Sequence, residues 1–149
     1  MIVTADTNLF LYSIDERDPA KQQSALAVIR ELRDKPSPIA MQVCGEFYRG
    51  ATRRLKKTPW EAAQGARNLL ESFPAFAATR QSTEVALGAA AAGQFSFWDA
   101  NLLAAASVAG CDIVLSEDMQ DGARFGRIEV VNPFTGAGLS QRARQALGL

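Results

Sequence analysis

The chain has 149 residues, 48% of them hydrophobic and 21% charged, which excludes a disordered or fibrous protein and fits one domain with its own core. Its 16 basic and 16 acidic side chains cancel, so overall charge points to neither nucleic acid nor membrane; any such site must arise from local asymmetry. Histidine is absent, which rules out an imidazole base and a histidine-bound zinc.

The first apolar run, IVTA at residues 2–5, reads as a strand that ends at Asp6. Met1 to Asp6 carries no basic stretch and meets an acid at once, unlike a secretory leader. A helical turn or two follows in NLFLYSI. Asp18-Pro19 has the form of an N-cap with proline at the first helical position, and Ala25, Val28, Ile29 and Leu32 recur at helical spacing through residues 19–34. Pro36 and Pro38 break the chain before a short strand, IAM. A third helix is expected over residues 42–56, with Val43, Phe47 and Ala51 on one stripe.

Thr58-Pro59-Trp60-Glu61 has the pattern of a capping box and opens a helix to about Glu71. FPAFAAT (73–79) holds a brief strand, and an Ala-rich helix covers residues 83–93. Ser96-Phe97-Trp98-Asp99 is a second capping-box-like start, for a helix ending at Gly110. DIVL and RIEVV (127–131) form the last two strands, and Ser140 caps a short terminal helix.

The apolar stretch from Val85 to Leu115 is interrupted by Gln94, Asp99, Asn101 and Asp112 and is too polar to span a bilayer. Cys44 and Cys111 have no metal-ligand spacing and read as buried thiols in a reducing, cytoplasmic setting. Strands alternating with helices imply one α/β domain over residues 1–149. Its expected form is a three-layer α/β/α sandwich with a mostly parallel central sheet of four to five strands flanked by helices.

In such sheets functional groups gather beyond the carboxyl ends of the strands. Asp6 and Asp118 occupy such ends, Glu46 lies in the first turns after the second strand, and Asp99 sits in the first turn of the helix that feeds the fourth. Two carboxylates ~5 Å apart repel by roughly 3 kcal/mol at an effective dielectric near 20. A cluster of them either takes up protons or binds a hard cation through oxygen, Mg²⁺ or Mn²⁺ being suited. Each acid also has an ordinary reading. Asp6 could cap the next helix, Asp99 could complete the box with Ser96, Asp118 could serve a turn, and Glu46 could face solvent. Their joint placement is what four independent caps would not require.

The segments ADTNLFLY (5–12), CGEFYRG (44–50), SFWDANLLAAA (96–106) and VLSEDMQDG (114–122), followed by VVNPF (130–134), resemble in order and spacing the PIN-domain ribonucleases. The likeness is specifically to the toxin component of bacterial VapBC toxin–antitoxin pairs. It covers nearly the whole chain and implies a PIN-like fold and an Mg²⁺- or Mn²⁺-dependent endoribonuclease that directs water at phosphorus. The acids matching the family's set are Asp6, Glu46, Asp99 and Asp118. Of these, Asp6, Asp99 and Asp118 would carry the metal, and Glu46 would complete its shell or position the attacking water. An antitoxin, an RNA substrate and a second copy of the chain are the implied partners.

Asn8 and Ser116, two residues from Asp6 and Asp118, could reach the site as supporting donors, or serve turns and caps. Asp121 is open among a supporting role, a second metal and plain solvation. Glu117 is expected to point away. Arg49 and Arg53 fall three and seven residues after Glu46, on nearly the same helical face, where guanidinium groups could bind RNA phosphates or form a solvated or partner-binding basic face. Phe97 and Trp98 could stack on bases, but next to LLAAA they are expected in the core.

Receiver domains and haloacid-dehalogenase-type phosphatases also cluster acids on parallel sheets. Both need a late lysine, and the last one here is Lys57. A PIN-like module that binds RNA or a partner without cutting, and a housekeeping RNA-processing nuclease, remain as alternatives.

Overall fold

Three short parallel strands form the centre of the molecule, and the chain enters and leaves them in a way that brings one rim of the sheet to every functional segment. The computed structural model describes residues 1–149. Strand β1 (Val3–Ala5) pairs in parallel with β4 (Ile113–Leu115), and β4 with β6 (Ile128–Val131); a two-residue β5 (Arg124–Phe125) closes the edge antiparallel to β6. The buried β-branched runs VTA, IVL and IEVV explain why these segments, covered on both faces, become strands.

Ala5 stands opposite Leu115, and Leu115 opposite Val131. The ladder continues one step further, with the Asp6 N–H donating to Leu115 O at 2.9 Å and the Ser116 N–H to Val131 O at 3.0 Å. Asp6 and Ser116 therefore lie side by side at the carboxyl rim.

Helix α1 (Thr7–Tyr12) springs directly from β1, and α2 (Pro19–Arg33) begins at the Asp18 cap with proline in its first turn, as expected. Strand β2 (Ile39–Ala40) runs straight into α3 (Met41–Arg53). Helix α4 (Pro59–Ser72) opens with the full reciprocal capping box between Thr58 and Glu61. Strand β3 (Ala75–Phe76) leads to α5 (Arg80–Ala91) and then α6 (Phe97–Val108). Because α6 feeds β4 from behind, it runs antiparallel to the strands and presents its N-terminus, with Asp99, at the carboxyl rim.

Two differences from the sequence reading concern short strands and a third concerns a helix start. β2 and β3 form their own parallel two-stranded ladder and do not join the central sheet, whose fourth member is β5. A hairpin of β7 (Phe134–Thr135) and β8 (Gly138–Leu139) precedes the Ser140-capped α7 (Gln141–Leu147). α5 starts three residues before the expected position, because Thr79 and Ser82 cap each other there.

Thirty buried residues make one core, with Phe10, Leu32, Leu103 and Leu147 among its largest fully buried side chains. A satellite of Ala86, Ala89, Ala100 and Ala104 joins α5 to α6. No helix is long and apolar enough to cross a membrane.

Gly50 sets how closely α1 approaches α3. A Cβ there would lie 2.5 Å from Leu11 Cδ1, and Leu11 is buried. Gly45, in the same helix, has nothing within 4 Å. Gly50→Ala should therefore lower stability by roughly 1–2 kcal/mol, overpacking outweighing the better helix propensity of alanine. Gly45→Ala should raise it by up to about 1 kcal/mol. Urea denaturation of the two variants measures both, and equal shifts would show that α1 has room to move.

Candidate metal centre

One cavity of about 350 Å³ opens at the carboxyl rim, and Asp6, Glu46, Asp99 and Asp118 all line it. The structure thus brings together the four acids singled out from the sequence. Asp6 is 8% exposed. Its Oδ1 accepts the Thr7 N–H at 2.7 Å, capping α1, and its Oδ2 accepts the Ser116 hydroxyl at 3.1 Å. The ordinary capping role and the site role are therefore both filled by one side chain. Burial raises the Asp6 pKa to about 6, with the charges of Glu46 and Asp118 adding to the rise against the opposing Thr7 and Ser116 hydrogen bonds.

Glu46 is half-buried and held by two neutral donors: Thr7 Oγ1 donates to Oε2 at 2.7 Å and Gln42 Nε2 to Oε1 at 2.6 Å. The same Gln42 accepts from Asn101 Nδ2 at 2.8 Å, so a residue of α6 fixes the acid of α3. Asp99 shows that the two readings of a capping-box pattern can be separated. Ser96 Oγ accepts the Asp99 N–H at 3.2 Å, but no return bond runs from the Asp99 carboxylate, in contrast to Glu61 in α4. That carboxylate is left for the cavity.

Asp118 accepts Asn8 Nδ2 at 2.5 Å, and Asn8 Oδ1 accepts Arg54 Nη1 at 2.9 Å. Its pKa is raised, first by burial, then by Glu117 and Asp99, and is held back by Arg54 and Lys21.

Asp121, expected among the supporting side chains, lies outside the cavity. Its Oδ1 accepts the Asn132 N–H at 2.8 Å and ties the loop after β4 to the end of β6. Glu117 turns away as expected, accepting the Tyr12 hydroxyl at 2.7 Å and pairing with Lys21 at 2.6 Å. Trp98 is a correction of a different kind: it is 62% exposed instead of buried, edge-on to the half-buried Phe97 at 5.0 Å between ring centres.

Arg49, Arg53 and Arg54 form the basic wall of the cavity. Arg49 and Arg53 make no ion pair and donate no side-chain hydrogen bond, and Arg54 spends its one bond on the neutral Asn8. These guanidinium groups are available to an anion that enters.

The donors facing the cavity are all oxygen, with both cysteines buried elsewhere, and the negative charge on the buried Asp6 is uncompensated. That donor chemistry fits a hard divalent cation. No group of three or more acids, cysteines or histidines is drawn tightly enough to grip an ion outright, so the acids line the cavity instead of forming a closed cage.

No family model and no curated protein matches the sequence. Solved structures do match. VapC20 of Mycobacterium tuberculosis, described as a sarcin–ricin-loop-cleaving toxin, superposes with a TM-score of 0.63 at 20% identity, over 78% of this chain and 89% of that one. The chain has the fold of a VapC toxin. A chain of Rickettsia felis VapBC2, solved bound to a DNA fragment from the promoter, gives 0.63 at 14% identity over 87% and 97%. One from a Klebsiella pneumoniae toxin–antitoxin complex gives 0.61 at 19% over 89% and 98%. What is shared with these VapC-type and toxin–antitoxin chains is the mixed α/β architecture with its mostly parallel central sheet.

Sequence reasoning missed three contributors to the site in this VapC-like fold: Thr7, Gln42 and Arg54. Gln42 and Glu46 are four residues apart, a spacing that puts them on one helical face and could have been read from the sequence. Thr7 and Arg54 gave no such signal, since their partners lie 39 and 46 residues away.

Proposed function

We propose that this protein is a divalent-metal-dependent endoribonuclease, the toxin of a type II toxin–antitoxin pair that inhibits translation or growth. The observation that carries the reading is one cavity lined by four acids and by three guanidinium groups that no carboxylate pairs. A phosphodiester needs both: positive charge to hold its oxygens, and a site of concentrated negative charge for the cation that assists its hydrolysis.

Asp6, Asp99 and Asp118 are the residues that would hold Mg²⁺ or Mn²⁺. Such an ion supplies charge neutralisation at the phosphate and a more acidic water. Glu46, anchored by Thr7 and Gln42, keeps lone pairs free to accept a proton from the attacking water and to aim it. Asn8 and Ser116 orient Asp118 and Asp6. Arg49 and Arg53, with Arg54, bind the RNA backbone beside the acids. An antitoxin and a second copy of the chain complete the proposed partners, and the cytoplasm is the proposed location.

The open spacing of the acids favours one other reading, a PIN-like module that binds RNA without cutting it. Incubation of purified protein with total RNA decides between them. Cleavage with Mg²⁺ or Mn²⁺ that stops on adding chelator is the expected result; binding without cleavage under any divalent ion would favour the second reading. Growth arrest on expression alone, relieved by the product of a neighbouring gene, is the result expected of a toxin and not of a housekeeping enzyme.

A further inference from the structure

Trp98 is a large aromatic side chain that the fold leaves uncovered next to Asp99 of the acid cavity, where hydrophobicity alone would bury it. Helix α6 is apolar almost all round its next turn and a half, with Ala100 and Leu102 to Ala106 all buried. An indole one turn before such a run belongs in the core on hydrophobic grounds, yet it stands 62% exposed.

Its place relative to the cavity follows from helix geometry. Leu102 lines the cavity, and Trp98 lies four residues earlier, on the same face one turn nearer the N-terminus. Side chains lean toward the helix N-terminus, so the ring is carried outward to the lip. The backbone there is fixed: Gln42 Nε2 donates to Trp98 O at 3.1 Å as well as to Glu46. Phe97 is inclined at 70° to the indole, 5.0 Å between ring centres, and the indole remains 62% exposed beside it. The next residue in the chain is Asp99. Gln42 lies in the first turn of α3, and Arg49, Arg53 and the C-cap Arg54 follow about two to three turns further along that helix, also lining the cavity.

We propose that Trp98 is a base-stacking, specificity-determining residue: its indole receives the base next to the phosphate held in the acid cavity, in single-stranded RNA. The inference rests on the ribonuclease reading above and deepens it. A strand whose backbone lies against the arginines has its phosphates neutralised, and a base turned out of it near the start of α6 meets the exposed indole. A paired base cannot reach the ring, so the arrangement selects loops and unpaired segments. Because stacking strength grows with ring area, a purine is favoured at that position over a pyrimidine.

The test uses the chain's two tryptophans. In Trp60→Phe protein the emission comes from Trp98 alone. Titrated with a short single-stranded RNA, with chelator present to prevent cutting, that emission should be quenched. Trp98→Ala should bind about tenfold more weakly, and Trp98→Phe should fall between. An abasic ribose at the stacked position should weaken wild-type binding by the same factor and leave Trp98→Ala almost unaffected. A merely structural role for the indole would not produce that loss of sensitivity. Equal binding by wild type and Trp98→Ala, or an abasic penalty that persists in Trp98→Ala, overturns the proposal. Cleavage by Trp98→Ala with wild-type KM would sink it while leaving the nuclease reading standing. A wild type that cuts no RNA would defeat the nuclease reading, and the titration would still decide the stacking. If Trp98→Ala keeps RNA and loses a protein partner, the ring belongs to a protein interface and the proposal fails.

Discussion

Asp99→Asn is expected to lower RNA cleavage by roughly a hundredfold or more, the scale for removing a charged group that acts on the reacting centre. The same change should move stability by less than about 0.5 kcal/mol. The reason for the separation is local. Ser96 caps α6 through the Asp99 backbone N–H, which asparagine retains, while the Asp99 carboxylate makes no return bond to the cap. Asparagine keeps the shape and removes the negative charge from the cavity. Cleavage assays and thermal melts on the same preparation check both halves. Normal cutting by the variant would remove Asp99 from the chemistry; a large loss of stability would mean that its carboxylate serves the fold.

For Asp6 the larger effect lies in stability, and its sign runs against the usual behaviour of a paired acid. In the folded, metal-free protein its pKa is raised to about 6 from an ordinary 3.8, chiefly by burial. Between those values the folded state holds more protons than the unfolded one, so stability falls as pH rises from about 4 to about 6 and levels off above. The full span corresponds to roughly 3 kcal/mol, an upper figure.

Asp15 and Glu129 shift in the other direction, each beside an arginine, and titrate at lower pH. Comparison with Asp6→Asn isolates the Asp6 contribution. Urea denaturation with chelator at pH 4.5 and pH 7 should show the wild type losing stability that Asp6→Asn keeps. At pH 7 the variant should be the more stable protein and a poor catalyst. Adding Mn²⁺ should restore the wild type and leave the variant little changed. An equal pH response in the two proteins would mean that Asp6 ionises without strain, and with that the case for a cation in this cavity would weaken.

How much of this was legible in the chain depends on how local the cause is. Asp18-Pro19 and Thr58-Pro59-Trp60-Glu61 announce helix starts within four residues, and both form where expected. The three parallel strands were readable because burial on both faces demands unbroken apolar runs. β5 and the β7–β8 hairpin were not, since two-residue strands owe their existence to a neighbour and carry no period of their own. β2 and β3 read as members of the main sheet, yet they pair with each other, and two-residue runs carry no signal of which sheet they will join. The convergence of the acids was legible because parallel connectivity fixes which ends of the elements share a rim. Asp121 could not be placed from the sequence, because the segment Glu117–Asp121 is a bent loop with no period and its acid turns to Asn132. Trp98 failed for another reason: in a helix that is apolar nearly all round, periodicity cannot say which way a residue near its start will face.

Asn8 stands between a cation and an anion, its oxygen toward Arg54 and its nitrogen toward Asp118. Its amide presents an acceptor on one side and a donor on the other while carrying no charge itself. An aspartate there would confront Asp118, and a lysine would confront Arg54. The amide thus acts as an insulator: plus and minus are kept one side chain apart, where direct contact would let them cancel. Each pole of the cleft stays unspent until something from outside completes it.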